Sequence, residues 1–150
     1  MARKKAVVIN REALHSLDLG IAEGLEALAR MALAETRPPD AAPFGVGLIE
    51  GGGTISYVDG KKVGGDADKK PRGMKVRGQG VAVGVGFGFP ARFVETGTVR
   101  QPARPFLSPA VVDVTGDRGA VEGAIRGALA KALVGQSRRI ARAQRKAAIG

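Results

Sequence analysis

In residues 81–89, Val81, Val83, Val85, Phe87 and Phe89 alternate with Ala82, Gly84, Gly86 and Gly88. An apolar period of two is the signature of a strand. One face of that strand is wholly apolar and the other is nearly bare backbone. The apolar face needs cover. The bare face lets another backbone or a helix come close, at some cost in strand stability. The pattern predicts a central strand over 81–89 with its Val/Phe face under a helix. The Gly-x-Gly spacing belongs to this alternation, and no helix start at the third glycine supports a dinucleotide-binding fingerprint.

Residues 11–37 supply the helix. Leu14, Leu17, Ile21, Leu25, Leu28 and Ala32 recur every three or four residues and line one stripe. Glu12, Asp18, Glu23, Glu26, Arg30 and Glu35 fall largely outside it, and Pro38-Pro39 ends the pattern. Gly20 and Gly24 each weaken such a helix by about 1 kcal/mol relative to Ala. Their four-residue spacing predicts a close neighbour on that face. Before this helix, residues 6–9 read as a short strand and Asn10 as a helix cap.

The middle of the chain is rich in glycine. Ile55-Ser56-Tyr57-Val58, Asp59-Gly60 and Lys61-Lys62-Val63 spell a two-residue hairpin with a type I′ turn. Residues 64–73 read as a mobile polar loop. Gly51-Gly52-Gly53 is not followed by Gly-Lys-Ser/Thr, so a phosphate loop is rejected. Further on, a short helix through Val114 breaks at Thr115-Gly116-Asp117. A second begins at Arg118, with Val121, Ile125, Leu129, Leu133, Gln136 and Ile140 as its stripe. Gly119, Gly123 and Gly127 make another stripe, read as close packing on the sheet or on another subunit, or simply as a weak helix. The expectation is a single α+β domain over 1–150. In it a long N-terminal helix and a C-terminal helix pack on a small, mainly antiparallel sheet. Residues 6–137 form the core and 138–150 a basic tail that orders on binding.

Function classes narrow by what is missing. The chain has no Cys, and His15 is its only His. Disulfides, thiolate metal sites and Cys nucleophiles are excluded. No His/Asp/Glu set has metal-ligand spacing, and no Ser sits in a nucleophile elbow, so neither an enzyme nor a cofactor is expected. No apolar run reaches the ~18 residues of a membrane span, and a soluble protein made in a reducing cytoplasm is expected. The net charge of +10 is unevenly spread. Residues 1–75 hold 12 Lys/Arg and 10 Asp/Glu, giving +2, while residues 76–150 hold 12 and 4, giving +8. After Glu122 there is no acidic side chain. Arg138, Arg139, Arg142, Arg145 and Lys146 therefore form a candidate surface for an acidic partner, either protein or nucleic acid. Aromatic interleaving and the helix-turn-helix, RRM and OB patterns are lacking.

The most distinctive block is Phe93-Val94-Glu95-Thr96-Gly97-Thr98-Val99-Arg100-Gln101-Pro102-Ala103-Arg104-Pro105-Phe106-Leu107-Ser108-Pro109-Ala110. As plain chemistry it is a strand–loop–helix connection. Gly97 can take a positive φ and turn the chain. Pro102 and Pro105 stiffen the loop and bias Gln101 and Arg104 towards extended backbone. Phe106 and Leu107 are an apolar pair for a pocket in this subunit or in a neighbour. Ser108-Pro109 reads as a helix start, with the Ser hydroxyl accepting from an orphan amide. Glu95, beside Thr96, Gly97 and Thr98, can accept backbone or hydroxyl hydrogen bonds and hold the turn, or pair with an Arg across an interface.

The order of these residues resembles the HK97 gp10-like family of tailed-bacteriophage neck, or tail-completion, proteins. There an aromatic residue, a Glu, a Gly-Thr step, a short polar loop and Pro-Phe-Leu-x-Pro-Ala recur. The resemblance covers 93–110, and loosely the layout of helix, strands, block and helix. Many members also carry a Thr-Gly-x-Leu segment after the first helix, where this chain has Phe44-Gly45-Val46-Gly47-Leu48-Ile49. The resemblance implies a structural virion protein, made in the host cytoplasm and assembled as a hexameric ring. The ring would join the portal–adaptor or head-closure side to the tail tube. It marks Glu95, Gly97, Thr98, Arg104, Phe106 and Leu107 as interface and loop residues. A tail-terminator ring is the near alternative. A nucleic-acid-binding protein using the basic C-terminus, with packaged DNA as a partner, is the more distant one.

Overall fold

The computed structural model describes residues 11–36, 52–67, 74–78, 80–87 and 91–149. The strand expected at 6–9, the Asn10 cap, the Pro38-Pro39 stop, Phe44-Gly45-Val46-Gly47-Leu48-Ile49 and most of the polar loop at 64–73 lie outside these residues.

The amphipathic N-terminal stretch forms helix α1, Arg11–Glu35. Strands β1 (Gly53–Val58), β2 (Lys61–Gly64) and β3 (Val81–Gly86) follow. Helices α2 (Ala91–Thr96), α3 (Leu107–Gly116) and α4 (Arg118–Ile149) complete the chain. The sheet is antiparallel with order β2-β1-β3. The fold is α+β, with long helices at both ends and a three-stranded sheet.

The hairpin forms as its sequence dictates. Asp59 and Gly60 both have positive φ, 50° and 79°, as a type I′ turn requires. The pairing then shifts between Ser56 and Tyr57, a bulge that moves Gly64 opposite Ser56. Past the bulge, residues 66 and 67, the described end of the loop expected to be mobile, are pinned. The Asp66 carboxylate accepts the Thr54 N–H at 2.8 Å, and the Ala67 N–H donates to the Thr54 carbonyl at 2.9 Å.

The strand expected to be central lies, among the described residues, at one side of the sheet, where β3 pairs with β1 alone. It runs to Gly86, and Gly88 and Phe89 of the expected strand lie outside the described residues. Its alternation nevertheless does what the sequence asks. Val85 lies opposite Thr54 and Val83 opposite Ser56, on the face turned to α1. There Val83 and Val85 line an apolar cleft with Leu25, Leu28 and Ala32 of α1 and Leu107 and Val114 of α3.

α1 is buried on more sides than its leucine stripe shows. Leu14, on that stripe, is 47% exposed, whereas Gly20, Ala22 and Gly24 are buried. The two glycines are where α4 crosses. A Cβ on Gly20 would lie 2.9 Å from the Ala132 Cβ, and one on Gly24 would lie 3.0 Å from the Ile125 Cα. The predicted close neighbour is therefore α4. The second glycine stripe behaves oppositely, since a Cβ on Gly123 or Gly127 would meet nothing within 4 Å. Among the described residues Gly123 and Gly127 pack against nothing, and a Cβ on Gly119 would meet the Asp117 Oδ1 at 3.3 Å.

α3 and α4 break at Asp117, as the Thr-Gly-Asp step predicts. Asp117 has φ −78° and ψ 94°, and its carboxylate accepts the Ala120 N–H at 3.1 Å, so it caps α4. The segment expected as a separate basic tail is helical and continuous with α4.

Two glycine substitutions test this packing. Gly24→Val forces α1 off α4 and should cost about 1–3 kcal/mol. Gly123→Ala combined with Gly127→Ala removes two weak helix residues from open positions and should gain up to about 1 kcal/mol each. Urea melts of the two variants should shift in opposite directions. A Gly24→Val protein as stable as the parent would show that the helices do not cross there.

Candidate functional site

The distinctive block folds as a clamp. Its first part is a short helix, α2, where a strand was expected. Ala91 and Val94 on its inner side are buried, and with Phe106 they form an apolar cluster against which Phe87 and Leu107 pack. Phe106 is 6% exposed, and its ring meets the Phe87 ring edge-on at a centroid distance of 5.3 Å. The pocket that receives Phe106 is thus in its own subunit.

Glu95, the next-to-last residue of α2, points at the start of α3. Its carboxylate accepts the Phe106 N–H at 2.8 Å, the Leu107 N–H at 2.9 Å and the Ser108 N–H at 2.8 Å. The Ser108 hydroxyl also donates to it. One side chain therefore satisfies three of the amides that every helix leaves orphaned at its N-terminus, and places a negative charge where the helix dipole favours it. Burial pushes the Glu95 carboxyl up. The Ser108 hydroxyl and the three amides outweigh this, so its pKa stands below the ordinary carboxylate value.

These contacts revise the expected roles. α3 begins at Leu107, with Phe106 at the cap position and no side-chain bond from the cap itself. Ser108 is inside the helix, and its hydroxyl donates where it was expected to accept. Pro109 sits at the third helical position, where a missing N–H still costs nothing. Glu95 does hold the block through backbone and hydroxyl bonds. It holds the Phe106-Leu107-Ser108 step, not the Gly97 turn beside it.

Gly97 makes the turn, with φ +74°. A Cβ there would stand 2.7 Å from the Ala103 nitrogen. Thr98 and Gln101 then exchange backbone hydrogen bonds at 2.8 and 3.2 Å across Val99-Arg100. The Thr98 hydroxyl accepts the Arg100 and Gln101 N–H groups. The Arg104 N–H donates to the Val94 carbonyl at 2.8 Å, returning the loop to α2. Val99 stands at the tip, fully exposed.

Arg138, Arg139, Arg142, Arg145 and Lys146 are all exposed on α4. They are remote in sequence from the clamp, and no hydrogen bond joins them to it. Among the described residues there is no group of three or more His, Asp or Glu that could hold a metal ion, and no helix long and apolar enough to cross a membrane.

A second carboxylate centre was not anticipated. Glu26 of α1 accepts the Ser56 hydroxyl at 2.8 Å and the Thr54 hydroxyl at 3.2 Å, and pairs with Arg30 at 2.9 Å. Arg30 reaches on to Asp66 at 3.2 Å. Burial raises the Glu26 pKa, but the Ser56, Arg30 and Thr54 bonds leave it below the ordinary value. Asp66 is lowered chiefly by the Thr54 amide. The network fastens α1 to β1. Its signal was the alternation of Thr54 and Ser56 with Ile55, which puts two hydroxyls on the helix-facing side.

Comparison with protein-family models, with curated proteins and with solved structures gives no match to this chain.

The clamp makes a pH-dependent prediction. A carboxyl whose folded pKa is depressed contributes stability that is present above its unfolded pKa and lost as pH falls through the folded value. For Glu95 that window lies below the ordinary carboxylate range. At neutral pH Glu95→Ala should cost about 2–3 kcal/mol, because it strands three amides. The cost should shrink as pH drops below the window. An equal cost across the whole range would mean that the charge plays no part. Phe106→Ala should lose about 3–5 kcal/mol in chemical denaturation, as expected for a ring buried in its own subunit.

Proposed function

We propose that this chain is a ring-forming structural subunit of a tailed-phage neck. It joins the portal–adaptor side of the head to the tail tube and completes the tail. One observation carries the reading. The residues on which the resemblance rests all serve one device: Glu95 caps α3, Gly97 turns the chain, Thr98 closes the turn and Phe106 anchors the loop. What the device leaves outward is the Val99-Arg100 tip. An apolar side chain held fully exposed on a rigid turn has no work inside the subunit and suits a neighbour's surface.

A ring is built from head-to-tail contacts in which two different patches meet. The Val99 turn supplies one patch. Val112 at 65%, Val134 at 51% and Leu133 at 50% exposure offer apolar surface elsewhere on the subunit. A hexamer is the ring expected in the particle.

Sedimentation velocity at increasing protein concentration tests this. The wild type should form a closed oligomer larger than a dimer. Val99→Asp should remain monomeric with an unchanged melting temperature, because the side chain makes no intramolecular contact to lose. A wild type that stays monomeric or forms a two-fold dimer at all concentrations overturns the reading. So does a Val99→Asp protein that assembles normally.

A further inference from the structure

The C-terminal half of α4 has left the body of the protein. α1 and α4 run antiparallel, with Gly24 beside Ile125 and Gly20 beside Ala132. At that register α1 begins at Arg11, level with about residue 139. Residues 137–148 are exposed without exception. In this stretch Arg138, Arg139, Arg142, Arg145 and Lys146 project from a helix that turns about 100° per residue. All five therefore fall within an arc of about 120°. Among the described residues none of them has an ion-pair partner. The last acidic side chain in the sequence, Glu122, is already engaged by Arg118 and Arg126.

We infer that this helix half binds the phosphate backbone of duplex DNA. The charge spacing fits. From Arg138 to Lys146 the helix rises about 12 Å, so five cations stand on average about 3 Å apart along the axis. Duplex DNA carries one negative charge per about 1.7 Å of its own axis. Four of the five are Arg, whose planar fork bonds phosphate oxygens in pairs. Ala141, Ala143, Ala147 and Ala148 keep the rod slim, and the major groove admits an α-helix. An acidic protein is the weaker fit. Hot spots of protein interfaces combine Arg with buried Trp and Tyr anchors, and the charged arc offers Arg with no aromatic residue beside it. Ile140 lies on the opposite side of the helix.

Such contacts are sequence-independent, and they do not depend on ring formation. The test uses the full chain and a fluorescently labelled random-sequence duplex of about 30 base pairs, with anisotropy read between 50 and 200 mM KCl. Five phosphate contacts give a slope of log K against log salt of about −4.5, which is roughly a 500-fold loss of affinity across that range. Replacing all five residues by Gln (Arg138→Gln, Arg139→Gln, Arg142→Gln, Arg145→Gln and Lys146→Gln) keeps good helix formers at exposed positions. Circular dichroism and melting should therefore match the parent. The variant's slope should fall by about 4.5 units. The inference is overturned if the wild type does not bind the duplex at 50 mM salt, or if the variant binds it as well as the wild type. It is also overturned if polyglutamate of equal charge binds the wild type as tightly as DNA, since that would assign the surface to an acidic protein. Val99→Asp, which addresses the ring, should bind the duplex with an unchanged salt slope, so the two readings can fail separately.

Discussion

At Gly20 and Gly24 the backbones of α1 and α4 come within van der Waals reach of each other. Side chains there would hold the two helices apart and lift α1 off at least one of its other neighbours. With the gap closed, α1 has three partners at once. α4 lies on its glycine face. The sheet meets Glu26 and the leucines. α3 brings Val114 against Leu28 and Ala32. The helix thus becomes the axis of the fold, although glycines make it a weaker helix in isolation. What intrinsic propensity loses, packing area returns, as is usual for helical stability in proteins.

Two carboxylates fasten the remaining junctions. Glu26 ties helix to strand through two hydroxyls, and pairs with Arg30 on its own helix. Glu95 ties helix to helix through three amides and a hydroxyl. Both are acceptors only, and each gathers several donors. Thr54 and Ser56 are 0% and 1% exposed, so an unbonded hydroxyl there would be costly. The core is poor in aromatics, and its precision comes from these polar anchors together with small side chains at close contacts.

Local chemistry was legible in the sequence, and contact between distant segments was not. Asp59-Gly60 gave the hairpin, because its turn geometry is decided by two residues. Thr115-Gly116-Asp117 gave the break between α3 and α4 for the same reason. The α+β class followed from the two helical periods flanking strand patterns. The rank of β3 could not follow, since strand order depends on which segments meet. Leu14 was placed on the apolar stripe by its spacing, yet it is half exposed, while Gly20, Ala22 and Gly24 are buried. The importance of Glu95 within its block was visible. Its partners were not, because Phe106, Leu107 and Ser108 stand 11, 12 and 13 residues away. Gly119, Gly123 and Gly127 looked equivalent to Gly20 and Gly24, and only the register of α4 on α1 separates the crowded pair from the open stripe.

The clamp and the helix crossing also differ in how far apart along the chain their members lie. Glu95 closes loops of 11 to 13 residues, whereas Gly20 meets Ala132 across 112. Loop-closure entropy grows as the logarithm of length, so the long closure costs about 2 kcal/mol more than the short one. The clamp can form from nearby chain alone, on the fast timescale of short loops, while the α1–α4 contact waits for both ends of the polypeptide. The residues that present Val99 thus belong to the part of the molecule able to assemble first, and the axis of the fold is the part that closes last.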